Sequence, residues 1–220
     1  MGRYVIRGGH SPRCVGAKDL LDEQPYCRNI ARVVANILRE NGHTVYLLES
    51  NESDKNADLR LSKQWADKYK PDLFASIHMN DDDEKKGYGS EYWIYSSSKT
   101  FAKNIGDRYC RNMNALGFSN RGMKTSTGLY ELRATSCPAI IFETMFVGSK
   151  KDKDLWDKNT LDDIARAIAN GIDPKIPLHK QKEEPKYRVM CYGMSEERAK
   201  EACDRLRQEP RAFKCYYERM

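Results

Sequence analysis

No apolar run in this 220-residue chain is longer than five or six residues, far short of the roughly 20 that a membrane-spanning helix needs. A leader with an apolar central segment is missing as well. Tyr4-Val5-Ile6 leads directly into strand-like sequence, so the expectation is a chain that stays in the cytosol. Cys-x-x-Cys pairs are absent. The seven cysteines (Cys14, Cys27, Cys110, Cys137, Cys191, Cys203, Cys215) are odd in number and widely spaced, which argues against a zinc finger or a disulfide framework and for reduced thiols. Gly8-Gly9 with Gly16 lacks the Gly-x-Gly-x-x-Gly spacing, so dinucleotide binding is not expected. Histidine is scarce, at four residues, and the position of each one therefore carries weight.

The composition allows one sizeable core with a small appendage. Hydrophobic residues make up 40% and charged residues 32% of the chain, a globular balance with a heavily solvated surface. The stretch from Lys175 to Met220 holds 12 Lys/Arg against 8 Asp/Glu, so most of the net charge of +6 lies there. A basic tail of this kind favours an anionic partner such as a cell-wall polymer. Acidic residues interrupt the basic ones throughout, so a nucleic-acid partner is not expected, and without a long apolar run neither is a membrane.

Periodicity predicts a strand over Tyr4 to Arg7, a helix from Pro25 to Asn41-Gly42 with Ile30, Val33, Val34, Ile37 and Leu38 as its apolar stripe, and a strand over Thr44 to Leu48. A helix over Ala57 to Tyr69 follows, then a strand from Leu73 to His78, a strand over Gly89 to Tyr95 and a helix over Lys99 to Gly117. Gly128 to Arg133 reads as a short extended segment, Pro138 to Glu143 as a buried strand and Thr160 to Gly171 as a helix. Strands alternating with helices make an α/β sheet. The first domain ends at 173, residues 174–186 form a linker, and 187–220 form a small βαβ unit with strands at Tyr187 to Tyr192 and Ala212 to Tyr217 around a helix capped by Ser195. So short a unit cannot bury enough surface to stand alone. It docks on the first domain or pairs with a second copy, and a homodimer is the expectation.

Three of the strand ends carry chemistry. His10 follows Tyr4-Val5-Ile6, His78 ends Leu73-Phe74-Ala75-Ser76-Ile77, and Glu143 ends Pro138-Ala139-Ile140-Ile141-Phe142. In an open α/β sheet such ends face one crevice, where side chains remote in sequence converge. Hydrolytic zinc takes three protein ligands and leaves a position for water. His10 and His78 supply two of them. Glu23, just ahead of Pro25 at a helix start, is the preferred third, with Asp22 as its competitor. Burial raises the pKa of a carboxylate, which suits Glu143 to general base and acid work. His43, after a glycine, and His179, in the linker, read as surface residues.

In order and spacing, Gly8-Gly9-His10, Glu23, Ser76-Ile77-His78-Met79-Asn80, Asn120-Arg121-Gly122-Met123-Lys124 and Leu129 to Arg133 followed by Pro138 to Glu143 resemble the zinc-dependent N-acetylmuramoyl-L-alanine amidases of the type 3 family. The resemblance covers residues 1 to about 172. It implies a twisted mixed sheet flanked by helices, zinc on His10, Glu23 and His78, Glu143 as catalytic glutamate, and cleavage of the amide between N-acetylmuramic acid and L-alanine in bacterial peptidoglycan. The family's usual Asp-Pro before Gly-His is replaced by Arg7-Gly8, which bears on the support of His10. With reduced thiols and no leader, the resemblance further implies a phage endolysin that accumulates in the host cytoplasm and reaches the wall after the membrane is permeabilised. The tail resembles half of a SPOR-type repeat, which implies wall binding. The rival expectations are a zinc peptidase cutting the stem peptide and a catalytically silent wall binder.

Overall fold

The computed structural model describes residues 1–179 and 195–208. The chain divides into two compact units, Met1–Lys180 and Gln181–Met220. The first unit runs β1 (Arg3–Gly8), α1 (Glu23–Glu40), β2 (Thr44–Leu48), α2 (Lys55–Tyr69), β3 (Leu73–Asn80), β4 (Ser90–Ile94), α3 (Thr100–Ala115), β5 (Asn120–Thr125), α4 (Tyr130–Ala134), β6 (Ala139–Phe146), α5 (Lys150–Lys158) and α6 (Leu161–Ile172). In the second unit, α7 (Glu196–Gln208) follows Ser195, as its capping signal predicts. The two strands expected at 187–192 and 212–217 lie outside the described residues.

The strands form one sheet in the order β2-β1-β3-β6-β4-β5. All neighbours are parallel except β4 and β6, which are antiparallel. The sheet is therefore mixed and flanked by helices, as expected. The polarity of β4 matters for the site: the carboxyl ends of β1, β3 and β6 open on the edge where β4 and β5 begin.

The alternation of side chains along each strand divides the core. Tyr4 and Ile6 of β1, together with Leu73, Ala75 and Ile77 of β3 and Ile140 and Phe142 of β6, pack against α1, α3 and α6 in the main cluster. The opposite parity sends Val5 and Phe74 to a smaller cluster that includes Leu48 and Ala66 and is edged by Trp65 and Tyr69 of α2. Arg7 shares the parity of Val5, so an arginine is driven into the interior between β1 and α2, where its residue is 1% exposed.

Several readings differ from the structure. The strands expected to end at His78 and Glu143 run on to Asn80 and Phe146, because Met79, Met145 and Phe146 continue the buried pattern. Residues 128–133 are not extended, because α4 turns there behind a Ser126 hydroxyl that accepts from the Gly128 and Leu129 amides. The strand β5 escapes an alternation test because it is a polar edge strand paired on one side only. His43 is not a surface residue: its side chain is 8% exposed, its Nδ1 accepts from the Gly2 amide (3.0 Å), and its Nε2 lies 2.9 Å from Asp173 Oδ2. Pro174 to Pro177 continue the first unit instead of starting a linker, since Ile176 is 1% exposed in the main cluster and its carbonyl accepts from Asn170 Nδ2 (2.7 Å). His179, at 83% side-chain exposure, is a surface residue as expected.

Candidate metal centre

His10 sits just past β1 with φ at +64°, a left-handed backbone that non-glycine residues adopt at some energetic cost and that concentrates at functional sites. The turn is held by the Gly9 amide, which donates to the Ile77 carbonyl (2.7 Å), and by the Ser11 hydroxyl, which donates to the Glu52 carbonyl. This backbone turns the His10 imidazole toward the first residue of α1. There Glu23, 4% exposed in its side chain, offers an oxygen to each histidine: Oε2 lies 3.2 Å from His10 Nε2 and Oε1 lies 3.0 Å from His78 Nδ1. Its orientation is locked by two backbone donors, the Ala17 amide on Oε2 (2.9 Å) and the Met79 amide on Oε1 (3.2 Å). Asp22, the rival from the sequence, instead pairs with Lys18 at the surface.

One donor atom from each of His10, Glu23 and His78 lies within 4.8 Å of the others. Zinc bonds of about 2.0–2.2 Å place neighbouring donors roughly 3.3 Å apart, and the two histidine–carboxylate separations are close to that. The donor set, two imidazoles and a carboxylate, is that of hydrolytic zinc. Two glycines make room for it. A Cβ on Gly16 would overlap the Glu23 carboxylate and the His10 ring, and a Cβ on Gly9 would overlap the His78 ring. Glycine is thus required here for close approach and not only for turning. The residues fit a divalent ion.

The register places Glu143 of β6 directly beside His78 of β3. Its Oε2 is buried with no hydrogen-bond partner among the described residues, a state that costs free energy and that structural carboxylates avoid. Burial pushes the Glu143 carboxyl up to about 7, helped by the charges of Glu23, Glu91 and Glu131 and opposed by His78. For Glu23 the balance goes the other way: burial would raise it, but hydrogen bonds to His10 and His78 hold it well below the usual carboxylate range. Burial likewise opposes a charge on His78, yet Glu131 and Glu23 outweigh it and lift the imidazole to about 10.

The structure thus brings together all four residues singled out in the sequence, and it adds neighbours that the sequence reading did not name as site residues. Glu91 pairs across β4 and β6 with Glu143. Its carboxylate is saturated by Arg121 Nε (2.6 Å), Asn80 Nδ2 (2.8 Å) and Trp93 Nε1 (3.2 Å), so it contributes charge beside Glu143 and no free base. Glu131 of α4 lies on the other side of His78, with Oε2 3.8 Å from Nε2. A signal for Glu131 was present in the sequence. An arginine closing Tyr4-Val5-Ile6 needs a buried acid, and the acid is found only when α2 and α4 are seen to cover that face of β1.

A family model described as N-acetylmuramoyl-L-alanine amidase matches residues 5–174. An uncharacterised protein of Clostridium perfringens strain 13 is 33% identical over 178 residues, covering 79% of this chain and 52% of that protein. The chain therefore spans about half the length of that relative. The sporulation-specific N-acetylmuramoyl-L-alanine amidase of Bacillus subtilis strain 168 is 29% identical over 187 residues, covering 83% of this chain and 70% of that protein. Among solved structures, the catalytic domain of the CD27L endolysin targeting Clostridia difficile superposes with a TM-score of 0.72 at 27% identity, covering 78% of this chain and 97% of that one.

Proposed function

The chain belongs to the N-acetylmuramoyl-L-alanine amidase family, and from that premise we propose that it is a zinc-dependent hydrolase cleaving the amide between N-acetylmuramic acid and L-alanine in bacterial peptidoglycan. The observation that carries the reading is the convergence of His10, Glu23 and His78 beside a Glu143 carboxylate oxygen that has no hydrogen-bond partner among the described residues. When bound, zinc supplies Lewis-acid polarisation of a carbonyl and lowers the pKa of water to about 7. Glu143 takes the proton of the attacking water through its free oxygen and returns it to the leaving L-alanine nitrogen. Glu23 is held as a carboxylate by His10 and His78 against the effect of burial, and oriented by its backbone donors, so it stays a ligand and does not compete as a base. Mass spectrometry of digested walls tests the reading. New N-terminal L-alanine with intact stem peptides is expected, whereas cuts inside the stem peptide would replace the amidase with a peptidase.

Zinc binding should also be visible as proton release. His78 holds its proton up to about 10 in the metal-free protein, and an imidazole must be neutral to ligate. Because the folded pKa lies above the unfolded value, this proton contributes stability that is present below about pH 6.5 and is lost as pH rises toward 10. Metal-free protein should therefore melt at progressively lower temperature across that window. The zinc-loaded form should hold its midpoint, with apparent zinc affinity rising by up to about tenfold per pH unit. Calorimetry with and without chelator reads both trends, and parallel curves would refute the assignment of His78 as a ligand.

The likeness to an endolysin catalytic domain and the free thiols of Cys14, Cys27, Cys110 and Cys137 support a phage endolysin held in the host cytoplasm until the membrane is permeabilised. Producing cells should keep their turbidity until chloroform is added and then clear. For the C-terminal unit we propose wall binding or dimerisation. Its removal is best made at 181, which leaves Ile176 in the core; wall pelleting and molar mass that both stay unchanged would exclude the two roles.

A further inference from the structure

The geometry points to Glu131 as a positioning residue for His78: one of its carboxylate oxygens is anchored by Arg7 and Ser62, and the other faces the imidazole nitrogen that turns away from Glu23. This inference rests on the zinc reading above. His78 Nδ1 lies 3.0 Å from Glu23 Oε1, on the side of the donor cluster, while its Nε2 lies 3.8 Å from Glu131 Oε2. Oε1 of Glu131 is occupied separately, accepting from the Ser62 hydroxyl (2.7 Å) and pairing with Arg7 Nη1 (3.1 Å). Arg7 is itself held by Asp58 Oδ2 (2.8 Å) on its second terminal nitrogen and donates to Ser62 Oγ (2.6 Å).

Every member of this chain of contacts is buried. The side chains of Arg7, Asp58 and Glu131 are 1%, 6% and 4% exposed, and Ser62 is 0% exposed. Water cannot replace the pairs, so the carboxylate stays where the arginine fixes it. A metal-ligating imidazole whose far nitrogen faces a carboxylate is restricted to one tautomer and one ring orientation and becomes a more basic donor. The 3.8 Å separation is an ion-pair contact. A hydrogen bond needs the ring and carboxylate to approach by somewhat less than 1 Å, the tightening that sites undergo when loaded. The Arg7 and Glu131 charges therefore have a use beyond cancelling each other: together they place a negative charge behind a metal ligand.

The test is zinc affinity by chelator competition on the full chain. Glu131→Gln keeps the shape and an acceptor for Ser62 and Arg7 but removes the charge. It should weaken zinc by about tenfold or more, removal of such partners typically costing 10–100-fold. Asp58→Asn perturbs the same arginine one step further from His78 and should weaken zinc clearly less than Glu131→Gln does. Equal losses in the two variants would make Glu131 merely structural and overturn the proposal, as would an unchanged affinity in Glu131→Gln. Should that variant fail to fold, 15N–1H spectra of zinc-loaded wild-type protein decide instead. A proton on His78 Nε2 with the metal on Nδ1 supports the proposal, and the metal on Nε2 overturns it. Wild-type protein that binds no zinc overturns this inference together with the function it rests on, whereas zinc-binding wild type with an indifferent Glu131→Gln overturns this inference alone.

Discussion

Glu143→Gln is expected to retain zinc and lose wall hydrolysis, with turnover down by about 10²–10⁴ or more, the range that general acid–base catalysis contributes. The size of the effect follows from the placement of this carboxylate. It sits within β6 beside His78, one of its oxygens has no hydrogen-bond partner among the described residues, and burial brings it to about 7 in the metal-free site, toward the range where a group can both accept a proton from water and return it near neutral pH. No neighbour can substitute. Glu91, the adjacent acid, has its oxygens committed to Arg121, Asn80 and Trp93, and Glu23 and Glu131 are both held well below the usual carboxylate range, burial being outweighed by His10 and His78 for the first and chiefly by Arg7 for the second. In the zinc-loaded wild type kcat/KM should fall on the acid side as Glu143 becomes protonated and can no longer act as base, at a pH below the metal-free value of about 7 because the charge of the ion favours the carboxylate. Residual activity of the glutamine variant should lack that limb. Turbidity loss and released L-alanine termini measure the rate, and metal content by chelator titration shows that the site survives. Lysis at wild-type rate would sink the assignment.

Arg7→Met should destabilise the protein by about 3–5 kcal/mol, the usual effect of removing one partner from a buried ionic group. Arg7 is the common partner of Asp58 and Glu131, with N–O separations of 2.8 and 3.1 Å. Without it, two carboxylates and a serine hydroxyl remain in a space that water does not reach. For a domain of this size that is a fall in thermal midpoint of roughly 10 °C, readable by urea or thermal unfolding of the metal-free protein. Replacing Arg7, Asp58 and Glu131 together with apolar side chains of similar volume should recover most of the loss, because the cost lies in the stranded charges. A loss below about 1 kcal/mol in the single variant would show that the network is solvated. The position is also where this chain departs from the family's Asp-Pro. The sequence alone ties that departure to His10; the structure connects it through Glu131 to His78 instead.

The elements that alternate or carry an apolar stripe were legible in the sequence, since β1, β3, β6, α1 and α6 each bury one face or both and must therefore write that burial into residue order. The elements stabilised by other means were not. β5 is a polar edge strand, α4 is a single turn, and α5 is built on a Ser149 cap with Lys150–Asp154 and Lys153–Asp157 pairs in place of a stripe. His43 shows the same limit, because its burial comes from Gly2 and Asp173 far along the chain.

By itself the sequence determined that His78 and Glu143 lie on apolar strands, that His10 follows one and that Glu23 lies at a helix start, because these positions follow from local pattern; that β3 and β6 run on past His78 and Glu143 to Asn80 and Phe146 was not written there. Which sheet edge they share, the antiparallel entry of β4 beside them, and the burial of Arg7 and Glu131 behind His78 were decided only by the tertiary structure. Periodicity says which face a residue occupies; it does not say which helix will cover that face, and a charge on a covered face acquires its partner, and its effect on a neighbouring ligand, only when the layers close.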